Sequence, residues 1–187
     1  MDEPKTIKVE SGGNYYECPN AKTIRPVTHN HFPGKPTPYT LRITEIINIL
    51  SRQALDLPPD NTINADAFYI EQKLRYNCLR RWAHEVREYT AYTAFLTEIY
   101  AEYDRQGCNK SQNVMRWLRS QYRRLSDEDT GDLLFDNILQ AACEAVWNDP
   151  QRQPDLMLED IDTEMRIVLV DAFVKCEIFE KPPLAGN

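Results

Sequence analysis

From Asp60 to Asp149 the chain contains no proline, and its only glycines there are Gly107 and Gly131. Proline removes a backbone donor and clashes with the preceding helical turn, and glycine weakens a helix interior. A stretch this long without either is therefore predicted to be almost entirely helix. Gly107 and Gly131 fall where helix ends are expected on other grounds. The stretch is bounded by Leu57-Pro58-Pro59-Asp60 and by the loop Asp149-Pro150 to Pro154-Asp155. Residues 1–38 are the opposite case, holding six of the twelve prolines and three of the six glycines. The expected organisation is an irregular arm or linker over 1–38, a helical domain over 39–183 and a short tail over 184–187. The fold class is mainly α, a helical bundle built on one long helix with an irregular proline-rich N-terminal arm.

Apolar spacing places the elements. Leu41, Ile43, Ile46, Ile47, Ile49 and Leu50 share one side of a helix over Thr40 to Gln53. Trp82, Val86, Tyr89, Thr93, Leu96, Tyr100 and Tyr103 recur in steps of four and three, a seam that predicts one helix from Ala65 to Asp104. At about 1.5 Å per residue such a helix is about 60 Å long. A second helix, Lys110 to Leu125, turns Val114, Trp117, Leu118, Gln121 and Tyr122 inward and carries Arg116, Arg119, Arg123 and Arg124. The stretch Ser126 to Asp129 supplies N-terminal carboxylates for a third, with Leu133, Leu134, Ile138, Leu139, Ala142, Cys143 and Val146 inside, ending near Trp147 and Asn148. The last, Leu158 to Phe179, includes the run Ile167 to Val174, apolar almost all round, which predicts burial between other helices.

Several function classes are disfavoured. Neither G-x-x-x-x-G-K-[ST] nor G-x-G-x-x-G occurs, so phosphate-cradling loops are not expected. There is no run of about 18 apolar residues and no signal-peptide start, so the expected location is the cytoplasm, away from a membrane. The five cysteines include no C-x-x-C pair, and reduced, mostly buried thiols are expected. Cys18, His29 and His31 fall short of the four ligands of a structural zinc site. The carboxylates Asp127, Glu128, Asp129, Asp132 and Asp136 do not match a calcium loop, since counting from Asp127 puts Gly131 fifth and Ile138 twelfth; helix capping explains them better. No metal and no other cofactor is expected. Arg80 and Arg81 with His84 have the wrong spacing for a helical RNase motif, which leaves catalysis by Arg81 and His84 a minority reading and the chain, on balance, not an enzyme.

Charge is unevenly divided. The net charge of −7 resolves into +4 over residues 1–125 and −11 over residues 126–187. Such asymmetry orients a module on a partner when the partner is complementary. Nucleic-acid contact through Arg80, Arg81, Arg116, Arg119, Arg123 and Arg124 is the alternative reading, indirect or weak given a pI near 5.0.

The turn from Tyr103 to Ser111 is the most specific local feature. Gly107 suits a left-handed helix end, and Asn109 or Ser111 suits a helix start, whereas Asp104, Arg105, Gln106 and Lys110 have no local explanation. Ile99 to Ser111 resembles the pattern Ile-Tyr then Phe-Asp-x-Gln-Gly-x-Asn-Lys-Ser of the C-terminal domain of effectors in bacterial ABC-three-component systems, relatives of the Lamassu antiphage systems. Ile161 to Pro182, with Asp171-Ala172-Phe173-Val174-Lys175-Cys176-Glu177-Ile178-Phe179, is similar to the family's closing segment. Ile46 to Ser51 and Phe68-x-Ile70-x-x-Lys73 are a weaker likeness to its opening segment.

These stretches span residues 38 to 183. The resemblance implies a non-enzymatic docking domain that joins an effector to a small middle component and an SMC-like ABC ATPase. A catalytic domain of the kind that family's effectors carry is not evident before residue 38, which leaves a fragment of a longer effector or a separately encoded assembly subunit. The partner-binding residues expected are Asp104, Arg105, Gln106, Asn109 and Lys110. Asp171 is expected to be interior and to require a buried partner, an arginine being the candidate.

Overall fold

The computed structural model describes residues 38–52, 67–105, 110–175 and 177–183. The expectations for the arm, for Cys18, His29 and His31, for Gln106, Gly107 and Asn109, and for the tail lie outside the described residues. Among the described residues the regular structure is seven α-helices and one 3-10 turn: α1 (Pro38–Leu50), α2 (Ala67–Tyr76), α3 (Ala83–Tyr89), the 3-10 turn Thr90–Tyr92, α4 (Thr93–Arg105), α5 (Lys110–Leu125), α6 (Gly131–Trp147) and α7 (Leu158–Val174). No strand occurs among the described residues, so the mainly-α fold class holds.

The single long helix does not. Its predicted course from Ala65 to Asp104 is broken between Tyr76 and Ala83 and tightened at Thr90–Tyr92. The break is a helix-stop motif read straight from the backbone: the Leu79 N–H reaches the Leu74 carbonyl at 2.9 Å and the Cys78 N–H reaches Arg75 at 3.2 Å, with Cys78 at φ 58° where glycine usually stands. The Asn77 amide group locks the stop by donating to the Lys73 and Glu180 carbonyls, both at 2.9 Å, and its carbonyl accepts from the Glu180 N–H. At the second irregularity the Thr90 hydroxyl donates back to the Val86 carbonyl, a bond that disturbs a helix locally. The seam periodicity nevertheless survives, because Trp82, Val86, Leu96, Tyr100 and Tyr103 are all buried.

Gly131 opens α6 with φ 57°, and a Cβ there would lie 2.9 Å from the Cys78 carbonyl oxygen. Both the left-handed backbone and the close approach to the stop motif require glycine. The expected helix boundary at this glycine is present, at the start of α6 and after the carboxylates assigned to its first turn.

α7 is the centre of the bundle. Ile167 to Phe173 are at most 1% exposed, as an element apolar on every side must be. Phe135 of α6 lies 6.3 Å from Phe173, while Cys143, two turns later, feels the charge of Asp162 near the start of α7; the two helices therefore run antiparallel. Phe135 also stacks on Trp82 at 4.2 Å and on Phe179 at 5.5 Å. This aromatic cluster ties α3, α6, α7 and the segment after α7 together. That segment leaves the helix at Val174, earlier than the predicted Phe179.

Two expectations about polar groups need correction. Cys78 is disulfide-bonded rather than reduced, whereas Cys143 is a free, buried thiol pushed up to about 12 by burial. Asp171 is buried as expected, but its partner is not an arginine: the Lys175 ammonium stands 2.9 Å away, one turn along the same helix. Burial raises the Asp171 carboxyl and Lys175 opposes the rise; burial and the nearby Asp171 charge together push the Tyr100 phenol well up.

Candidate docking surface

The helix ends on either side of residues 106–109 are held by two of the residues the sequence leaves unexplained. Asp104 in the last turn of α4 accepts from the Ser111 N–H at 2.8 Å and from the Ser111 hydroxyl at 2.5 Å. Its carboxylate thus satisfies a first-turn donor of α5 and sits at the positive end of that helix. Lys110, whose side chain is 18% exposed, lies 3.8 Å from Glu45 of α1 and 4.8 Å from the Tyr103 ring centre. Tyr103 in turn donates to the same Glu45 carboxylate. Asp104 and Lys110 therefore have capping and packing roles that local sequence does not reveal. Arg105 differs: its side chain is 73% exposed and pairs only with Glu102, one turn back on the same face, at 2.6 Å. An exposed pair of this type contributes little to stability.

The basic residues divide into two groups. Arg81 is turned to α6, where Asp136 accepts from its guanidinium and Asp132 lies within 4.0 Å. Arg80 presents its backbone N–H to Asp132 at 3.0 Å. Arg119 pairs with Glu177 at 2.6 Å. These contacts hold α3 and α5 to the rest of the bundle. Arg116 and Arg124 donate instead to Asn113 and Gln121 on their own helix, and Arg123 is exposed beside them. α5 carries five basic residues and no acidic one. His84, the other half of the nuclease reading, is exposed and 3.7 Å from Glu88.

Three of the five carboxylates before and within α6 are engaged with protein donors, while Asp127 and Glu128 are exposed. Asp129 accepts from Asn137 at 2.7 Å, Asp132 from three backbone N–H groups around Arg81, and Asp136 from the Trp82 indole at 2.8 Å. Capping is the right explanation for Asp132, but the backbone it serves is the start of α3 rather than of its own helix. Lys73 is a further residue whose role periodicity cannot show. It is 1% exposed, and its ammonium donates to the Phe173 carbonyl and, at 3.0 Å, to the Ile178 carbonyl, at the negative end of α7.

One buried carboxylate oxygen of α7 has no such partner among the described residues. Glu164 of α7 is 7% exposed, its Oε2 accepts no hydrogen bond, and burial together with the nearby Asp160 charge raises it to about 7. Among the described residues no helix is long and apolar enough to cross a membrane.

The description C-terminal domain 10 of the ABC-three component systems belongs to a family model that matches residues 42–180. The match begins within α1 and runs through the aromatic segment after α7, so it takes in most of α1 and all of α2 to α7. No curated protein and no solved structure matches the chain. With most of its length and nearly all of its helical bundle inside the match, the chain belongs to the family of C-terminal domain 10 of the ABC-three component systems.

Proposed function

We propose that this chain is a non-enzymatic docking domain, or assembly subunit, of a prokaryotic antiphage defence complex of the Lamassu-related kind. In that role it joins an effector to a small middle component and an SMC-like ABC ATPase in the cytoplasm. The observation that carries the reading is the build of the α4–α5 turn. Asp104 and Lys110 clamp its two flanks to α5 and α1, while Arg105 projects into solvent. A contact group held on fixed flanks loses little conformational freedom when a partner binds. Gln106 and Asn109 are assigned to the same contact because they lie within that turn.

The test is co-expression of the full chain with the ATPase and middle component of its system. Arg105→Glu is expected to weaken co-elution at least tenfold while the melting temperature stays within about 2 °C, since exposed substitutions change stability by only about 0.5 kcal/mol. Unimpaired assembly by this variant would overturn the assignment of the turn. Asp104 and Lys110 are unsuited to the same test, because removing either disturbs the turn itself.

A second reading is favoured by α5 alone, where Arg116, Arg123 and Arg124 present charge without a carboxylate contact. On that reading these arginines meet phosphates, and binding to duplex DNA falls steeply as salt rises.

A further inference from the structure

Five large hydrophobic side chains are exposed among the described residues, and three of them, Trp147, Met157 and Leu158, lie at the two ends of the loop joining α6 to α7. They are 42%, 60% and 50% exposed. Arg152 ties the two ends of this loop into one tip: its guanidinium lies 4.3 Å from the Trp147 ring centre and donates to the Gln153 carbonyl at 3.0 Å and to the Leu156 carbonyl, next to Met157, at 2.5 Å. We propose that this tip is a second docking surface, built to receive a basic amphipathic helix of another component of the same system. The inference rests on the docking reading above but not on the α4–α5 turn.

The tip is preformed. Asp149, 3% exposed, accepts from the Thr44 hydroxyl at 2.7 Å and from the Gln151 N–H at 2.8 Å. Asn48 of α1 donates to the Gln151 carbonyl at 2.9 Å, and Gln153 donates to the Asn48 backbone carbonyl at 2.7 Å and side-chain oxygen at 3.2 Å. The Met157 N–H is taken by Asp160 at 3.0 Å, which starts α7 with Met157 and Leu158 facing out. A loop bound this closely to α1 does not fold its apolar side chains away. The molecule holds them in water, as a surface awaiting a partner does. Trp, Met and Arg are also the residue types concentrated at the centres of protein interfaces.

Charge names the occupant. Arg152 is the only lysine or arginine between Ser126 and Arg166, and it is already occupied by the indole face and backbone carbonyls. Glu144 stands one turn before Trp147 on the same helix, and Asp155 and Glu159 flank Met157 and Leu158; all three are exposed. An apolar patch with carboxylates on both sides complements a helix whose apolar stripe is edged by lysine or arginine. A second copy of this chain fits poorly, because an isologous contact through the tip sets these carboxylates against themselves.

The experiment uses the full chain co-expressed with the other components of its system. Met157→Ser with Leu158→Ser, and separately Glu144→Lys with Glu159→Lys, are each expected to weaken co-elution at least tenfold while leaving the melting temperature unchanged. Binding by the natural sequence is expected to weaken as salt rises. A photo-crosslinking residue introduced as Asn148→p-benzoylphenylalanine is expected to join a lysine- or arginine-rich helix of another component. Undiminished binding by both double variants overturns the proposal, as does crosslinking to an acidic segment, to a second copy or to residues 1–37. If the natural chain joins no component, the docking reading fails with it. If the natural chain assembles and only the tip variants are neutral, this inference fails alone.

Discussion

The Asp132 carboxylate of α6 accepts the Arg80 backbone N–H at 3.0 Å and goes on to accept those of Arg81 at 3.2 Å and Trp82 at 3.3 Å. These are the N–H groups of the turn that leads into α3, ending at Trp82 just before its first residue, and no preceding helical carbonyl takes them. The cap that ordinarily comes from an adjacent serine or aspartate here comes from a residue about fifty positions away. The break in the predicted long helix and the docking of α6 against it are thus one arrangement.

Replacing that cap is expected to destabilise the fold without altering any exposed contact. Asp132→Ala leaves three backbone donors without their acceptor and should lower stability by about 2 kcal/mol. Asp132→Asn, which keeps one acceptor oxygen but no charge, should lose less. Thermal or denaturant unfolding of the two variants measures the difference, and equal stability of Asp132→Ala and the natural protein would refute the capping role.

Lys73 makes a comparable long-range connection at the C-terminal end of α7. Lys73→Met keeps the aliphatic stem that packs inside but leaves the Phe173 and Ile178 carbonyls without this donor, and removes the ammonium that lies 4.3 Å from the Phe173 ring centre. A loss of about 2 kcal/mol is expected, since a buried carbonyl deprived of its partner is left desolvated. Hydrogen exchange should show the effect first in the last turn of α7 and in residues 177–180.

Glu164 makes stability depend on pH in the direction opposite to that of a salt-bridged carboxylate. Its folded value, raised to about 7 from 4.5, means that between these pH values the unfolded chain releases the proton while the folded chain keeps it. The folded state then binds more protons, so stability falls as pH rises through this window and levels off above it. Glu164→Gln is expected to remove that fall, matching the natural protein below pH 4.5 and exceeding it at pH 8. Unfolding curves at these two pH values check the prediction; a variant no more stable at pH 8 would contradict it.

The helices were legible because burial follows local spacing. Val86, Leu96, Tyr100 and Tyr103 repeat at intervals that place them on one face whichever helix they belong to, and all are buried. Phe135 was missed, since it falls beside the predicted face of α6, yet it stacks on Trp82 and Phe179 at the centre of the bundle. The turn after α4 was legible as a feature but not as a mechanism. Asp104 looked unexplained only because the donor it satisfies lies seven residues on, across the turn, and Lys110 because Glu45 is far back in the chain.

The sequence by itself determined that this chain is helical, where α5 starts and stops, where α6 ends and α7 begins, that α7 is interior, and which family its motifs resemble. Each of these depends on near neighbours: the absence of proline, the three-and-four spacing of apolar side chains, and contiguous motif residues. Tertiary structure alone decided that the long helix breaks at Cys78, that Asp132 holds the turn leading into α3, that Lys73 closes α7, and that Trp147, Met157 and Leu158 stay exposed at the two ends of one loop. Those outcomes rest on polar groups finding partners far away in the chain. An isolated polar residue has many possible partners of similar energy, and only the packed arrangement of the helices selects one.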